Sequence, residues 1–224
     1  MHTLDFFQGE IEAIYGVEAP RVNDFLLDRA RAEAFSGPAR APEALLVRES
    51  EDALELGLFL DDEVVAAARR TDPHDPRPLL TAPGALPHLA CAAEGVSHFV
   101  YLATRAASGR SVSLLELEVQ AEVDKFALLV LHLWRRGLRR LSPALRRALF
   151  ERIRYRAHLG EDELERYRLA NRIGGGYAHF LESSYVRDAD AEGLLRELRA
   201  SYRLGGHEKL GYLDARAAGR GGGN

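Results

Sequence analysis

The chain has 224 residues, 46% of them hydrophobic and 29% charged, a balance typical of a globular protein with one large or two small domains. Its formal net charge of -4 argues against a global attraction to nucleic acid or anionic membranes, and no apolar run approaches the roughly 20 residues that a membrane-spanning helix needs. The single cysteine, Cys91, excludes an internal disulfide, and the start of the chain is acidic where a signal peptide is basic, so we expect a cytoplasmic protein.

The N-terminal region is predicted to mix helices with a small β-hairpin. Hydrophobic spacing indicates short helices over residues 3–14 and 20–35. Leucines alternate at every second position from Leu54 to Leu60, which predicts a strand that pairs with LLVRES around a turn at Glu51–Asp52. A further short helix is predicted over 61–70, where acidic residues fall in the first turn.

The remainder of the chain predicts a bundle of about five helices, so the expected fold class is mainly α (α+β). The predicted helices cover 86–107, 113–134, 142–158, 161–183 with a break at Gly174–Gly176, and 189–204. The predicted regions are an α+β region over 1–70, a proline-rich connection over 71–87, the helical bundle over 88–215 and a disordered tail over 216–224.

The helix predicted over 113–134 carries polar side chains on two sides. At about 100° per residue, one stripe contains Glu116, Gln120 and Asp124, and the other contains Glu118, Glu122, Lys125, His132 and Arg136. Apolar residues fill both gaps, so a helix that packs on two sides must bury part of one polar stripe, and buried carboxylates require partners. A strand over Leu115–Asp124 is the alternative, but the unbroken apolar run that follows it favours the helix.

Two neighbouring helices place a candidate metal site between them. On the helix predicted over 86–107, spacings of four, three and four put Glu94, His98, Tyr101 and Arg105 on one stripe. Glu118 and Glu122 repeat the i, i+4 spacing on the next helix, and the short loop between the helices makes them antiparallel neighbours. The predicted ligands are Glu94, His98, Glu118 and Glu122. Carboxylate oxygens with an imidazole nitrogen suit zinc, manganese or iron.

The same side chains also describe a structural polar network that needs no metal. Its members would be Tyr101, Arg105, Lys125 and His179, with His179 as a further ligand if a metal binds. In this interpretation, Lys125 and Arg105 neutralise Glu122 and Glu118. A metal-free acid–base site, in which burial raises the pKa of a carboxyl group, is the third alternative.

Arginine is concentrated between residues 135 and 172. The residues predicted to bind an anion or a partner are Arg135, Arg136, Arg139, Arg140, Arg146 and Arg147. They favour a non-catalytic binding or adaptor protein whose partner is an acidic protein or a second copy of the chain. Interleaved tyrosines are compatible with nucleic acid, which we do not favour. There are two plainer interpretations. Either the acidic N-terminal region docks onto these helices, or the arginines form a face that is simply exposed to solvent.

The three glycines at Gly174–Gly176 stand inside a helical pattern. Glycine costs about 1 kcal/mol relative to alanine in a helix interior. The run therefore either breaks the helix or permits close packing, and packing or a kink is favoured because no phosphate-loop fingerprint surrounds it.

The function predicted first is the adaptor, and the alternative is a metal-binding helical protein or a metal-dependent enzyme.

Overall fold

The computed structural model describes residues 3–37, 41–50, 54–70, 84–153, 155 and 159–218. Within these ranges the chain forms nine α-helices and one three-stranded sheet. The expected class, mainly helical with a small β component, is confirmed. Among the described residues, no helix combines the length and the apolar character needed to cross a membrane.

The helices follow one another through both halves of the chain. They are α1 (Thr3–Tyr15), α2 (Arg29–Ser36), α3 (Asp62–Arg70), α4 (Ala85–Ala107), α5 (Leu114–Arg135), α6 (Ser142–Phe150), α7 (Glu161–Leu181), α8 (Ala191–Arg203) and α9 (Gly206–Ala218). The strands are β1 (Leu26–Leu27), β2 (Glu43–Glu49) and β3 (Leu54–Leu60). A π-helical turn at Glu182–Val186 follows α7. Six helices, α4 to α9, therefore stand where about five were expected.

The predicted hairpin is part of a larger sheet. β2 pairs antiparallel with β3, with Glu43 opposite Leu60. The alternating leucines predicted the strand β3, and the register comes from the structure. β1 adds a third strand on the other edge of β3, parallel to it, with Leu26 opposite Leu58. The turn predicted at Glu51–Asp52 lies outside the described residues.

The single helix predicted over 20–35 is wrong. A 3₁₀ turn at Val22–Phe25 leads into the extended residues of β1, and only then does α2 begin. The start of α2 is fixed by Asp28, whose side chain accepts a hydrogen bond of 2.8 Å from the Arg31 backbone N–H. This cap favours a helix that begins after Asp28, and the two leucines before it gain backbone partners in the sheet.

The expectation that the segment after Gly109 is helical is confirmed by α5, so the strand alternative is excluded. Ser113 caps the helix by accepting a hydrogen bond from the Glu116 backbone N–H at 3.2 Å. α5 packs against α4, α6 and α7 as well as α1 and α9. Because neighbours surround it, the stripe of Glu116, Gln120 and Asp124 is buried, each residue being 1% exposed.

α7 continues through its three glycines without interruption. A Cβ atom on Gly174 would lie less than 3.0 Å from Glu122 of α5, and one on Gly176 equally close to Ala217 of α9. A Cβ atom on Gly175 would lie 3.1 Å from the Phe150 side chain of α6. The glycines therefore let three helices approach α7 closely. The expected break is wrong, and close packing is the physical reason for the run.

One helix end and one whole helix also differ from expectation. α6 ends at Phe150 and not near His158, and residues 156–158 lie outside the described ranges. α9 was not predicted at all. Its last turn contains Arg216–Ala218, the first residues of the expected tail, and residues 219–224 lie outside the described ranges. Residues 71–83 of the expected connection lie outside them as well.

One hydrophobic core extends through the described part of the chain. It includes Leu4 and Ile11 from α1, Leu58 from β3, Val130 from α5 and Leu213 from α9, each at most 1% exposed. Residues from both sides of the proline-rich segment are therefore buried against one another. The N-terminal region supplies one wall of the core that α4 and α5 share.

Candidate metal centre

His98 lies on α4 where the sheet packs against this helix. A Cβ atom at Gly95 would be 3.0 Å from both Glu43 Cγ and Leu60 Cδ2, so glycine is what permits the close approach. The approach brings Glu43, the first residue of β2, to His98, with 3.2 Å between Glu43 Oε1 and His98 Nδ1. Glu43 was not predicted as a site residue, because it is separated from His98 by 55 positions and begins a strand with one further acidic residue, Glu49.

The other ring nitrogen of His98 points between the two helices. His98 Nε2 is 3.6 Å from Glu118 Oε2 on α5. Nε2 is buried and has no hydrogen-bond partner among the described residues. One potential ligand atom from each of Glu94, His98 and Glu118 lies within 4.8 Å of the others. Three of the four predicted metal ligands thus converge.

Opposing effects set the charge at this site. Burial lowers the pKa of His98, but the Glu43 and Glu118 carboxylates outweigh burial and raise it well above its usual value. Burial raises the pKa of Glu43, and His98 counteracts this increase. Without a metal, the arrangement favours a protonated imidazole held between two carboxylates.

The fourth predicted ligand, Glu122, belongs to an adjoining ion-pair cluster. Lys125 Nζ donates to Glu122 Oε1 at 3.0 Å and to Glu94 Oε2 at 2.9 Å. Burial raises the pKa of Glu122, and Lys125 opposes that increase. Burial would lower the pKa of Lys125, but the Glu122 and Glu94 carboxylates raise it above its usual value. Lys125 therefore pairs with Glu122 and links it to the candidate ligand Glu94.

The three convergent residues fit a transition-metal ion after side-chain adjustment. Nitrogen and oxygen ligands lie about 2.0–2.2 Å from a tetrahedral zinc ion, so two of its ligand atoms are about 3.3–3.6 Å apart. The ligand atoms here lie within 4.8 Å of one another, so binding an ion needs side-chain movements of up to about 1 Å. The Glu43–His98 contact supplies the outer carboxylate that usually orients a metal-binding imidazole.

Two residues of the predicted stripe on α4 belong to a different cluster. Tyr101 and Arg105 lie in a second buried polar network, whose members are Tyr15, Ser97, Tyr101, Arg105, Glu116, Gln120, Asp124 and Lys209. Arg105 donates to Tyr101 Oη at 2.9 Å and to the Leu204 carbonyl at 2.5 Å. Arg105 therefore contacts the chain around α8 and α9, and the ion pair expected between Arg105 and Glu118 is wrong. His179 is exposed on α7 and is not part of the convergent group.

The second network satisfies the buried carboxylates of α5 with protein donors. Glu116 accepts hydrogen bonds from Tyr101 Oη at 2.6 Å and from the Gly206 backbone N–H at 3.0 Å. Asp124 accepts hydrogen bonds from Ser97 Oγ at 2.5 Å and from Gln120 Nε2 at 2.7 Å. Burial nevertheless raises the pKa of Asp124 to about 6. These partners give the network a structural role, since it joins α1, α4, α5 and α9.

The predicted partner-binding arginines divide into two groups. Arg135 pairs with Glu10, Arg139 donates to backbone carbonyls at the end of the π-helical turn, and Arg146 contacts Glu182 at 2.9 Å. Arg136, Arg140 and Arg147 are exposed and form no ion pair with any residue that the structure describes. Half of the predicted set is thus engaged in contacts within the chain.

Comparisons with models of protein families, with curated proteins and with solved structures give no match.

Proposed function

We propose that this protein binds a divalent transition metal, zinc, manganese or iron, through Glu94, His98 and Glu118. Glu43 would act from outside the ligand set by holding His98 Nδ1 and leaving Nε2 to the ion. The observation that carries the proposal is the buried Nε2 atom, which has a carboxylate oxygen 3.6 Å away and no hydrogen-bond partner among the described residues. A metal ion would supply the partner that the described residues do not.

The competing interpretation is a metal-free ion pair. A protonated His98 between Glu43 and Glu118, together with the Arg166 guanidinium 4.0 Å from Glu118 Oε1, would balance the charge of the site without any ligand. The two interpretations differ in what stoichiometric metal does to stability. A free ion at about 100 times its dissociation constant stabilises the native state by about 2.7 kcal/mol, whereas an ion pair gains nothing from it.

The first test is metal loading of the purified chain. Protein stripped with a chelator is incubated separately with Zn²⁺, Mn²⁺ and Fe²⁺, dialysed and examined by elemental analysis and thermal unfolding. We expect about one ion per chain for one of the three metals, with a higher melting temperature that a chelator reverses. Glu118→Gln keeps the shape of the side chain and should bind at least ten-fold more weakly, because an amide oxygen is a poorer ligand.

The matched control is Glu165→Gln, which removes an exposed carboxylate from α7 and should leave metal binding unchanged. Absence of stoichiometric metal after all three incubations, with melting indifferent to the chelator, would remove the proposal. Equal affinities of Glu118→Gln and the unmodified protein would place the ion elsewhere.

A second candidate function is the binding of an acidic protein partner or a second copy of the chain through Arg136, Arg140 and Arg147. The exposure of these residues and their lack of ion pairs within the described ranges favour it. The probe is poly-glutamate at two salt concentrations, with sedimentation to detect self-association. Replacing all three arginines with glutamine should weaken binding, whereas the same change at the exposed Arg31, Arg70 and Arg168 should not. Equal losses in both triple variants would show that only overall charge matters.

A cytoplasmic location also belongs to the proposal. It is supported by a composition with a single cysteine, which suits a reducing compartment. Fractionation of the producing cells would test it, since recovery from the membrane or the exterior would contradict it.

A further inference from the structure

A cavity of about 270 Å³ lies where α6 begins beside the π-helical turn at Glu182–Val186. Its lining includes one hydroxyl group and three guanidinium groups, which belong to Ser142, Arg139, Arg140 and Arg187. The volume is just below the range of about 300–1,000 Å³ that is usual for drug-sized ligands, so the cavity suits a smaller molecule or a single charged group.

Ser142, the first residue of α6, supplies a hydrogen-bond donor without a partner. The residue is only 4% exposed, and its hydroxyl makes no hydrogen bond with any residue that the structure describes. Glu182 Oε1 is sealed from solvent, whereas Ser142 Oγ retains accessible surface. Because Ser142 is otherwise enclosed and lines the cavity, its hydroxyl opens into the cavity. α6 also begins without a side-chain cap, which leaves the positive end of its dipole at the same place.

Arg139 is held in a fixed position at the cavity. Its Nη1 donates to the Val186 and Arg187 carbonyls, and its guanidinium lies 5.6 Å from the centre of the Trp134 ring. Arg140 and Arg187 are exposed. None of the three arginines forms an ion pair with a residue in the described ranges, so their charges remain available to a ligand.

The cavity therefore has an excess of positive charge. Glu182 is the one acidic residue among the lining residues that the structure describes, and its Oε2 accepts a hydrogen bond from Arg146 Nε at 2.9 Å. Even without Arg146, three positive charges and one negative charge leave a net charge of +2 at the lining. A phosphate group carries about −1.5 to −2 at pH 7 and has three strong acceptor oxygens, which match guanidinium and hydroxyl donors.

We propose that this cavity binds a phosphate group, either as free inorganic phosphate or as part of a small organic phosphate. Arg140 and Arg187 contact the phosphate oxygens from the solvent side, Arg139 adds a fixed positive charge, and the Ser142 hydroxyl donates from the inner wall. The site is separate from the candidate metal centre and needs no bound metal. Arg140 also belongs to the surface proposed for an acidic partner, whereas Arg187 and Ser142 belong to the cavity alone.

The test compares inorganic phosphate, glycerol 3-phosphate, glycerol and acetate at constant ionic strength. Calorimetry and Trp134 fluorescence measure binding, since Arg139 lies against the Trp134 ring. We expect saturable binding of one phosphate group per chain, at least about ten-fold tighter than acetate, and no binding of glycerol. Tighter binding of inorganic phosphate identifies the free ion as the ligand, and tighter binding of glycerol 3-phosphate identifies an organic phosphate. Phosphate that binds no better than acetate in either form would overturn the proposal.

Two variants locate the phosphate group. Arg187→Gln should weaken binding at least about ten-fold and Ser142→Ala about three-fold or more, because each removes a donor. Arg31→Gln is the matched control, since it removes an equal charge from an exposed position on α2. Equal losses in Arg187→Gln and Arg31→Gln would show that only overall charge matters and would overturn the site.

Circular dichroism establishes that each variant is folded. Arg187 is exposed, so its variant still decides if Ser142→Ala does not fold. Glu118→Gln should bind phosphate as tightly as the unmodified chain does, which keeps this result separate from metal binding. Loss of phosphate binding in Glu118→Gln would place the phosphate at the metal centre and would contradict the cavity as its site.

Discussion

Lys209 shows how a single buried charge depends on its surroundings. Its side chain is fully buried on α9, where Nζ donates to Tyr101 Oη at 3.0 Å and lies 4.3 Å from the centre of the Tyr101 ring. Burial and, to a smaller extent, the Arg105 guanidinium lower the pKa of Lys209 from its ordinary value to about 7. The carboxylates of Asp124 and Glu116 oppose that shift without cancelling it. Lys209 is therefore a lysine that the folded state holds partly neutral near pH 7.

This shift predicts a pH-dependent free energy of unfolding. Between about pH 7 and the ordinary lysine value near 10.5, the unfolded chain binds a proton at Lys209 that the folded chain has released. Stability should therefore rise with pH across this window, by about 2–3 kcal/mol between pH 7 and 9.5 for a shift of this size. Lys209→Met should remove that rise. Urea unfolding of both proteins at the two pH values measures it.

Glu208→Gln, at the exposed neighbouring position, is the control and should keep the rise in stability. If Lys209→Met and the unmodified chain gain stability in parallel from pH 7 to 9.5, the pKa of Lys209 is not depressed. The exposed titratable groups common to both proteins cancel in this comparison.

Helical periodicity predicted the positions of the helices better than it predicted which neighbour each helix face contacts. The stripe on α4 from Glu94 to Arg105 was predicted as one site, but α4 is 23 residues long and its neighbours change along it. The first half of α4 contacts β2 and the middle of α5. Tyr101 and Arg105, in its second half, contact α8 and α9. Sequence spacing fixes a face of one helix and carries no information about a strand or helix that arrives from far along the chain.

The missed elements have similarly specific causes. α9 begins at a pair of glycines and buries Lys209, so its sequence looks like a polar end of the chain and not like an amphipathic helix. Glu43 could not be identified as the partner of His98, because their contact depends on how the sheet packs against Gly95. The acidic stripes of α5, in contrast, were predictable, since a helix surrounded by neighbours must bury some of its polar side chains.

The triple glycine gives a prediction about helix packing. Gly174→Ala would place a methyl group less than 3.0 Å from the Glu122 side chain, between α7 and α5, and should lower the free energy of unfolding by about 1–3 kcal/mol. Gly211→Ala is the matched control, because a Cβ atom there meets nothing within 4 Å. That change should stabilise α9 by about 0.5–1 kcal/mol. Chemical denaturation measures both, and a stabilising Gly174→Ala would contradict the close packing of α5 and α7.

The region 1–70 and the helical bundle contribute to one hydrophobic core, which bears on whether they can fold separately. Composition favoured a boundary in the proline-rich segment, whereas the core places α1 directly against helices of the bundle. α1 packs on α4, α5 and α8, and Arg199 of α8 donates to the Ile14 carbonyl at 2.7 Å. A core shared in this way makes the two parts depend on each other for burial of apolar surface.

The prediction is that one cooperative transition unfolds both parts. Ile11 of α1 is 1% exposed, so Ile11→Ala should cost about 2–5 kcal/mol. Trp134, the only tryptophan, lies on α5 in the other part and reports on the bundle by fluorescence. If the parts are coupled, the substitution in α1 shifts the Trp134 transition as far as it shifts the circular dichroism transition. A Trp134 midpoint that stays in place while α1 is destabilised would show two independent domains, because the cavity left by Ile11 would then affect only its own part.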